Sequence, residues 1–129
     1  MNRERLPQDR SGMTHRFVLR TTDGEVTGFI TANTYPDGRL AEVFMRVDKE
    51  GSAIGGLIDV VATLISVALQ YGVPLDRICS KLQYQRFEPC GQVVAGDLDL
   101  HQATSLVDYL ARWLSRNFTQ PAKPVNDPL

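Results

Sequence analysis

The residues best suited to chemistry lie at the entrance of one long apolar segment. Lys49, Gly51 and Ser52 come directly before it, Arg46 lies just upstream, and Gly55 follows within the first helical turn. The first turn of a helix carries unpaired N–H donors and the positive end of the helix dipole, which favour an anion. These five residues therefore predict a phosphate-binding site, although the lysine precedes the glycines, unlike in a Walker A loop. The alternative is that the glycines only allow a turn and close packing.

Catalytic and metal-binding motifs are not found in the sequence. It has no Ser-His-Asp order, no His-Glu-x-x-His helix and no glycine-rich dinucleotide loop, and its carboxylates form no evident acid–base couple. Cys79, Cys90, His15 and His101 lack the spacing of a zinc site. We therefore expect a protein that is not an enzyme, with no catalytic residues, no metal and no cofactor.

The apolar segment itself is predicted to be a central helix over residues 52–71. Its apolar residues recur at helical spacing and predict one buried face, formed by Ile54, Leu57, Ile58, Val61, Leu64, Ile65 and Ala68. A narrow stripe of small and polar residues remains, namely Ser52, Gly56, Asp59, Thr63, Ser66 and Gln70. This stripe either meets solvent or a neighbouring helix, or forms a subunit or ligand contact. Asp59 interrupts the apolar run, so we do not expect a membrane span.

Three strands are predicted before this helix, at residues 15–19, 26–32 and 40–47, with turn signals between them. The third strand alternates most regularly, and its even-numbered side is mixed, with Phe44 between an acidic and a basic residue. That side is either amphipathic surface or a partner contact. The candidate interface residues are therefore Asp59, Thr63, Ser66 and Phe44.

Gly72 and Pro74 are typical of a helix end, and two further helices are predicted at 75–85 and up to about residue 118. Residues 93–99 are predicted to be an irregular connection, and Asp99 with Gln102 to cap the last helix. The prediction is an α+β fold, in which a three-stranded antiparallel meander packs on a long central helix and two helices follow. Residues 1–14 are expected to form an arm, 15–118 a single domain and 119–129 a disordered tail.

The spacing of Ala68, Gly72 and Ile78 also fits a helix-turn-helix DNA reader with residues 76–84 as recognition helix. Against this, 14 basic and 15 acidic residues leave a net charge of −1, without the basic field of many nucleic-acid-binding proteins. Nucleic-acid binding is therefore not the expected function. The N-terminus lacks the apolar region of a secretory signal, and the apolar helix is not expected to span a membrane, so we expect a cytoplasmic protein.

Several segments, taken in order, resemble the TSCPD domain found near the C-terminus of class II, adenosylcobalamin-dependent ribonucleotide reductases. The resemblance covers most of residues 3–118, and its most specific part is the run Ser66-Val67-Ala68-Leu69-Gln70-Tyr71-Gly72-Val73-Pro74-Leu75. The other matching segments are Arg5-Leu6-Pro7, Thr14-His15-Arg16-Phe17, Asp37-Gly38, Glu42-Val43-Phe44, Gly51-Ser52, Arg86-Phe87-Glu88-Pro89 with Gly91, Ser105-Leu106-Val107-Asp108-Tyr109 and Arg112-Trp113-Leu114.

The resemblance implies relatedness to one accessory domain and does not imply reductase activity. The reductases also carry a barrel with radical and redox cysteines, a cobalamin site and a cysteine-bearing tail, which we do not expect in this chain. Cys90 stands where the reductases usually have a small residue, so no role for it is inherited.

Three functions follow as expectations. The first is a non-catalytic, reductase-related domain that binds a nucleotide or another phosphate-bearing ligand, or docks on a nucleotide-metabolism partner. The second is a purely structural interaction module, dimeric through the central helix. The third is helix-turn-helix DNA binding.

Overall fold

The computed structural model describes residues 2–48 and 52–118 and shows an α+β fold. A five-stranded antiparallel sheet has the order β3-β2-β1-β4-β5. Its strands are β1 (Ser11–Thr21), β2 (Gly24–Thr34), β3 (Leu40–Val47), β4 (Gly91–Ala95) and β5 (Gln102–Ala103). The helices are α1 (Ser52–Gln70), α2 (Leu75–Leu82) and α3 (Leu106–Asn117), with a 3₁₀ turn at Leu98–Leu100.

The α+β class is confirmed, but the expected three-stranded sheet is wrong. The meander β1-β2-β3 is present, and β4 and β5 extend it beyond β1. Residues 93–99, expected to be irregular, include the end of β4, which pairs with β1 from Val18↔Ala95 to Arg20↔Gln92. β4 has only five residues and β5 only two, so neither carries a clear alternation of its own.

The inner face of the sheet holds the core. Phe17 and Leu19 of β1 are fully buried there, and Ile30 of β2 lies beside them. Gly28 is directly opposite Phe17, whose ring occupies the space that a Cβ at Gly28 would need. The ring of Tyr109 from α3 stacks on Phe17 at 4.1 Å between centroids. The missing side chain at Gly28 thus lets the Phe17 ring lie flat between the sheet and α3.

Helix α1 lies beside β3, at the edge of the sheet, and packs mainly against that strand. It was expected to cover one face of the meander. The helix ends as predicted at Gly72, whose φ of +93° is left-handed and whose N–H bonds the carbonyl of Leu69. Val73 N–H then bonds the carbonyl of Ala68, which satisfies a second free carbonyl of the last turn.

The N-terminal cap of α3 is Ser105, whose Oγ accepts from the backbone N–H of Asp108 at 3.0 Å. The expected cap at Asp99 and Gln102 is therefore wrong. Asp99 lies in the 3₁₀ turn, and Gln102 lies in β5. The 3₁₀ turn is capped by Asp97. The expected single long helix thus divides into a turn, a short strand and α3.

Residues before β1 also contact the domain. Glu4 donates its backbone N–H to the carbonyl of Gln70 at 2.8 Å, and its carbonyl accepts from the hydroxyl of Tyr35 at 2.7 Å. The Glu4 carboxylate pairs with Arg39 at 2.8 Å. These contacts connect the start of the chain to the end of α1 and to the β2–β3 turn.

A fully buried carboxylate, Asp108, joins the C-terminal elements. Its oxygens accept from the backbone N–H of Tyr84 at 2.6 Å and of Thr104 at 3.0 Å. Arg112 donates to both oxygens at 3.1 Å, and also to the carbonyls of Leu100 and Gln102. The Asp108–Arg112 pair, four residues apart on α3, is therefore a buried connection between α3, the end of α2 and β5.

We predict that Asp108→Asn lowers the free energy of unfolding by about 3 kcal/mol or more. The substitution removes the buried negative charge and leaves Arg112 without its charged partner, and breaking a buried ion pair in this way costs ~3–5 kcal/mol. Urea denaturation followed by circular dichroism measures the change. Asp99→Asn is the control, because that exposed carboxylate pairs with Arg116 at the surface, where a change within about 0.5 kcal/mol is expected. Equal effects from the two variants would contradict the prediction.

Candidate functional site

Two uncovered surfaces are candidates for function: the outward side of α1 and the outer face of the sheet. The inward side of α1 packs in the core through side chains four or three residues apart, Ile58, Ala62, Ile65 and Leu69.

Polar side chains of α1 hold this orientation by binding the backbone of the edge strand. Ser66 Oγ accepts from Val43 N–H at 2.8 Å and lies 3.1 Å from the Val43 carbonyl. Gln70 Nε2 donates to the carbonyl of Ala41 at 3.1 Å, and Gln70 Oε1 accepts from Arg3 Nε at 2.6 Å. Side chains from the polar stripe thus satisfy backbone groups that an edge strand otherwise leaves unpaired.

The opposite side of α1 exposes large apolar residues. Leu57 is 65% exposed and Leu64 is 62% exposed, although the sequence predicted both to be buried. They alternate with other exposed apolar side chains in steps of three and four residues. We call this set the α1 stripe: Leu57, Val60, Leu64, Val67 and Tyr71. The prediction failed because α1 is apolar on both sides and no described element covers the outward one.

The stripe has the spacing of the a and d positions of a heptad, which pack between two helices. From Leu57 to Tyr71 it extends along the helix for about 21 Å. Asp59 and Thr63 from the predicted interface are exposed beside it, whereas Ser66 faces β3. The structure therefore places the three expected interface residues of α1 on two sides of the helix, and the fourth, Phe44, lies on β3.

By length and composition, α1 is the one helix in the described ranges that could cross a membrane, over Ala53–Gln70 with a mean hydropathy of 1.9. Core helices of water-soluble domains often have the same length and apolar composition. Here Ser66 and Gln70 bind β3 and Ile58 and Ile65 lie in the core. These contacts make α1 part of the folded domain.

The expected phosphate site at the entrance of α1 is only partly described. Lys49 and Gly51 lie outside the described residues, as does the side chain of Ser52, the first residue of α1. Gly55 is partly buried in the helix, and Arg46 is exposed on β3. The site therefore stays a prediction.

A pocket of about 150 Å³ lies next to the first turn of α1. Ile54 lines it together with the β1–β2 turn and the segment before β4. Among the residues that the structure describes, its lining includes the carboxylate residues Asp23 and Glu88 and the thiol of Cys90, and no basic residue. Two carboxylates repel an anion, so this pocket does not add support to a phosphate site.

Arg46 and Phe44 project from the outer face of β3, and both are exposed. Strand register places Phe29 of β2 directly opposite Arg46, and Arg16 of β1 directly opposite Phe29. Sequence reasoning missed Arg16 and Phe29 because neither is unusual within its own strand. The signal that finds them is the register of β1, β2 and β3, which is fixed by short turns.

The potential catalytic and metal-binding side chains are dispersed. Across residues 2–48 and 52–118, no group of three or more His, Cys, Asp or Glu side chains is arranged to hold a metal ion. Cys79 is buried against α3, and burial raises the pKa of its thiol to about 11, so the unreactive protonated form predominates at neutral pH. His101 is exposed next to the 3₁₀ turn.

His15 belongs to an aromatic cluster on the inner face. Its ring stacks on Trp113 at 4.6 Å between centroids, and its Nε2 lies 2.7 Å from the hydroxyl of Tyr109. That hydroxyl accepts from Asp97 N–H at 3.0 Å, and burial raises the pKa of Tyr109 to about 12. The Tyr109 proton is therefore available for donation to neutral His15. Burial lowers the pKa of His15, and the negative charge of Asp97 partly opposes that shift.

Comparison with known proteins identifies the family. The profile of the TSCPD domain matches residues 4–118. The chain belongs to the TSCPD domain family. It is 45% identical over 116 residues to a vitamin B12-dependent ribonucleotide reductase of Rhodopirellula baltica, covering 90% of this chain and 11% of that protein. It is also 45% identical to the enzyme of that name from Streptantibioticus cattleyicolor, of which it covers 18%.

A third relative, the vitamin B12-dependent ribonucleotide reductase of Bradyrhizobium diazoefficiens, is 38% identical and is covered over 9% of its length. This TSCPD chain thus spans between about a tenth and a fifth of the relatives it matches. No solved structure matches it. The resemblance expected from the sequence is confirmed.

We predict that Ser66→Ala lowers the free energy of unfolding by about 1–3 kcal/mol, because the buried N–H of Val43 loses its acceptor. Amide hydrogen exchange at Val43 should accelerate, which locates the loss at the edge strand. Thr63→Ala, one turn earlier on the exposed side, is the control and should leave Val43 protected. Unchanged protection of Val43 in the Ser66 variant would contradict the prediction.

We predict that part of the free energy of unfolding is lost as pH falls below 6.5, because His15 has a lower pKa in the folded protein than in the unfolded chain. The unfolded chain then binds a proton first, so the loss continues until pH passes the folded pKa of His15. Thermal unfolding across this range should show a smaller pH dependence for His15→Gln than for His101→Gln. A pKa of His15 at or above 6.5, measured by NMR titration, would refute this assignment.

Proposed function

We propose that this TSCPD chain is a non-catalytic docking domain that associates through the α1 stripe. The observation that carries this proposal is the exposure of Leu57 and Leu64, at 65% and 62%, on a helix whose other side is in the core. The five stripe residues, Leu57, Val60, Leu64, Val67 and Tyr71, are each between 37% and 65% exposed, and the largest apolar patch on a typical monomer, ~300–600 Å², is often a functional one. Docking thus has more support than the phosphate site at the helix entrance.

We propose that the partner is a second copy of this chain. A single stripe that is repeated on both copies forms a self-complementary contact about a two-fold axis, the commonest symmetry of homo-oligomers. Small specific interfaces bury ~1,200 Å² in total, and two copies of the stripe with the flanking residues Ala53, Gly56 and Thr63 would supply the apolar part of such a contact.

The charges on α1 also favour self-association. Asp59 is the single charged residue between Ser52 and Gln70. Apart from Asp59, the positions flanking the stripe, including Gly56, Thr63 and Ala68, are small and uncharged, so they offer few ion pairs that would select a different helix. A helix that lies on a membrane surface usually has Lys or Arg on its polar side, and α1 has neither.

The relatives indicate the biological process in which this domain would act. By name they are vitamin B12-dependent ribonucleotide reductases, and the TSCPD segment is a small part of each. We infer that this domain contributes association rather than chemistry and that its role is connected with nucleotide metabolism. We also propose a cytoplasmic location, since the described Cys79 and Cys90 are both free thiols, as is usual in a reducing compartment.

We predict that Leu64→Glu converts a dimer into a monomer, because each copy would bury a carboxylate in an apolar contact. Sedimentation equilibrium between about 1 and 100 μM covers the range expected for a small interface. Leu98→Glu is the matched control, because Leu98 is 57% exposed in the 3₁₀ turn, away from the stripe. It should leave the dimer intact.

A wild-type protein that stays monomeric at about 100 μM, or a Leu64→Glu variant that remains dimeric, would overturn the proposal. Sedimentation with phosphatidylcholine vesicles tests a membrane surface as the alternative occupant. Vesicle binding by a monomeric wild-type protein, lost in Leu64→Glu, would replace the second copy with a lipid surface.

A further inference from the structure

The outer face of the sheet carries a row of side chains that the docking proposal does not use. Register places Arg16, Phe29 and Arg46 side by side across β1, β2 and β3. The neighbouring row is Thr14, Thr31 and Phe44, in which the two threonine hydroxyls lie 3.2 Å apart. We call these six residues the outer-face patch.

The two arginines of the patch have no ion-pair partner within the part of the chain that the structure describes. Other arginines are paired: Arg10 contacts Glu42 at 2.8 Å, and Arg39 contacts Glu4 at the same distance. The Glu42 carboxylate, next to the patch, is already bound by Arg10 and Asn33. Arg16 and Arg46, both exposed, therefore present two positive charges that no described carboxylate pairs with.

The spacing of these charges suits an anion with more than one charged group. Strands lie ~4.8 Å apart, so the backbones at Arg16 and Arg46 are about 10 Å apart, with Phe29 between them. Guanidinium groups bind phosphate oxygens through paired N–H donors. Two such groups at this spacing can bind neighbouring phosphates from opposite sides.

The aromatic residues supply a second type of contact. Phe44 is 51% exposed and lies diagonally next to Phe29 on the adjacent row. An exposed aromatic ring stacks on a nucleobase with ~1–3 kcal/mol per base. A ligand with both phosphates and a planar base would therefore contact the arginines and Phe44 together.

We propose that the outer-face patch binds a nucleoside diphosphate, with Arg16 and Arg46 on the phosphates and Phe44 against the base. The patch is bounded by carboxylates on both sides, Glu42 in the next row and Asp48 just beyond β3, where Asp48 accepts from Thr27 N–H at 2.8 Å. Such boundaries fit one nucleotide better than a nucleic-acid strand, whose phosphates continue in both directions. This proposal is independent of association through the α1 stripe.

The test is calorimetric titration of the intact protein with ADP, adenosine and pyrophosphate, and with a single-stranded oligonucleotide. ADP should bind more tightly than adenosine or pyrophosphate, because each lacks one of the two contacts. Arg16→Gln and Arg46→Gln should each weaken ADP binding about tenfold, the scale of one charge-assisted hydrogen bond. Phe44→Leu should bring ADP binding close to that of pyrophosphate.

Arg86→Gln is the matched control, because Arg86 is exposed and lies outside the patch; it should bind ADP as the wild type does. Leu64→Glu should also retain ADP binding, so failure of the dimer and failure of this site are distinguishable. The proposal is overturned if millimolar ADP does not bind or if Arg86→Gln weakens binding as much as the patch variants. An oligonucleotide that binds more tightly than ADP would replace it with a single-strand site.

Discussion

The hydrogen bonds from Ser66 and Gln70 to the edge strand β3 decide which side of α1 faces outward. The outward N–H and C=O groups of an edge strand need hydrogen-bond partners. A helix beside that strand can provide such partners only from the side chains that face the strand. Ser66 binds the backbone of Val43 and Gln70 binds that of Ala41, so these two residues are turned toward β3, while Asp59 and Thr63 of the same polar stripe stay exposed. Leu57 and Leu64 face away from the strand as a consequence.

The sequence predicted the α+β class, the β3 bounds, the end of α1 and the family correctly. The sequence-based prediction missed β4 and β5, because a local sequence pattern carries no information about pairing between strands that are distant in the chain. β4 pairs with β1, more than 70 residues earlier in the chain, through contacts such as Val18↔Ala95. On α1, apolar residues occupy both sides, so hydrophobic periodicity alone does not distinguish core from surface. A polar side chain that binds a strand edge also looks the same in sequence as a solvated one, so the sequence did not show that Ser66 and Gln70 face β3.

The outer-face patch, too, was only partly predictable from local sequence pattern. Alternation along β3 predicts that Phe44 and Arg46 share one side of the strand, and both are exposed on its outer face. Their neighbours Arg16 and Phe29 come from other strands, and only register brings them into one row. Arg16 and Arg46 are each ordinary within their own strands. They become candidates for anion binding because the fold places them in one row, where no described carboxylate pairs with either.

The two candidate surfaces share one strand, and this restricts how they can affect each other. Val43 points inward from β3 and its backbone binds Ser66 of α1, while Phe44 and Arg46 on the same strand belong to the outer-face patch. Association through α1 would stabilise the position of β3, and a ligand on the outer face would stabilise the same strand from its other side. Since coupling between sites is reciprocal, a ligand on the outer face would tighten association only if it bound the associated form more tightly, and any such coupling would pass through β3.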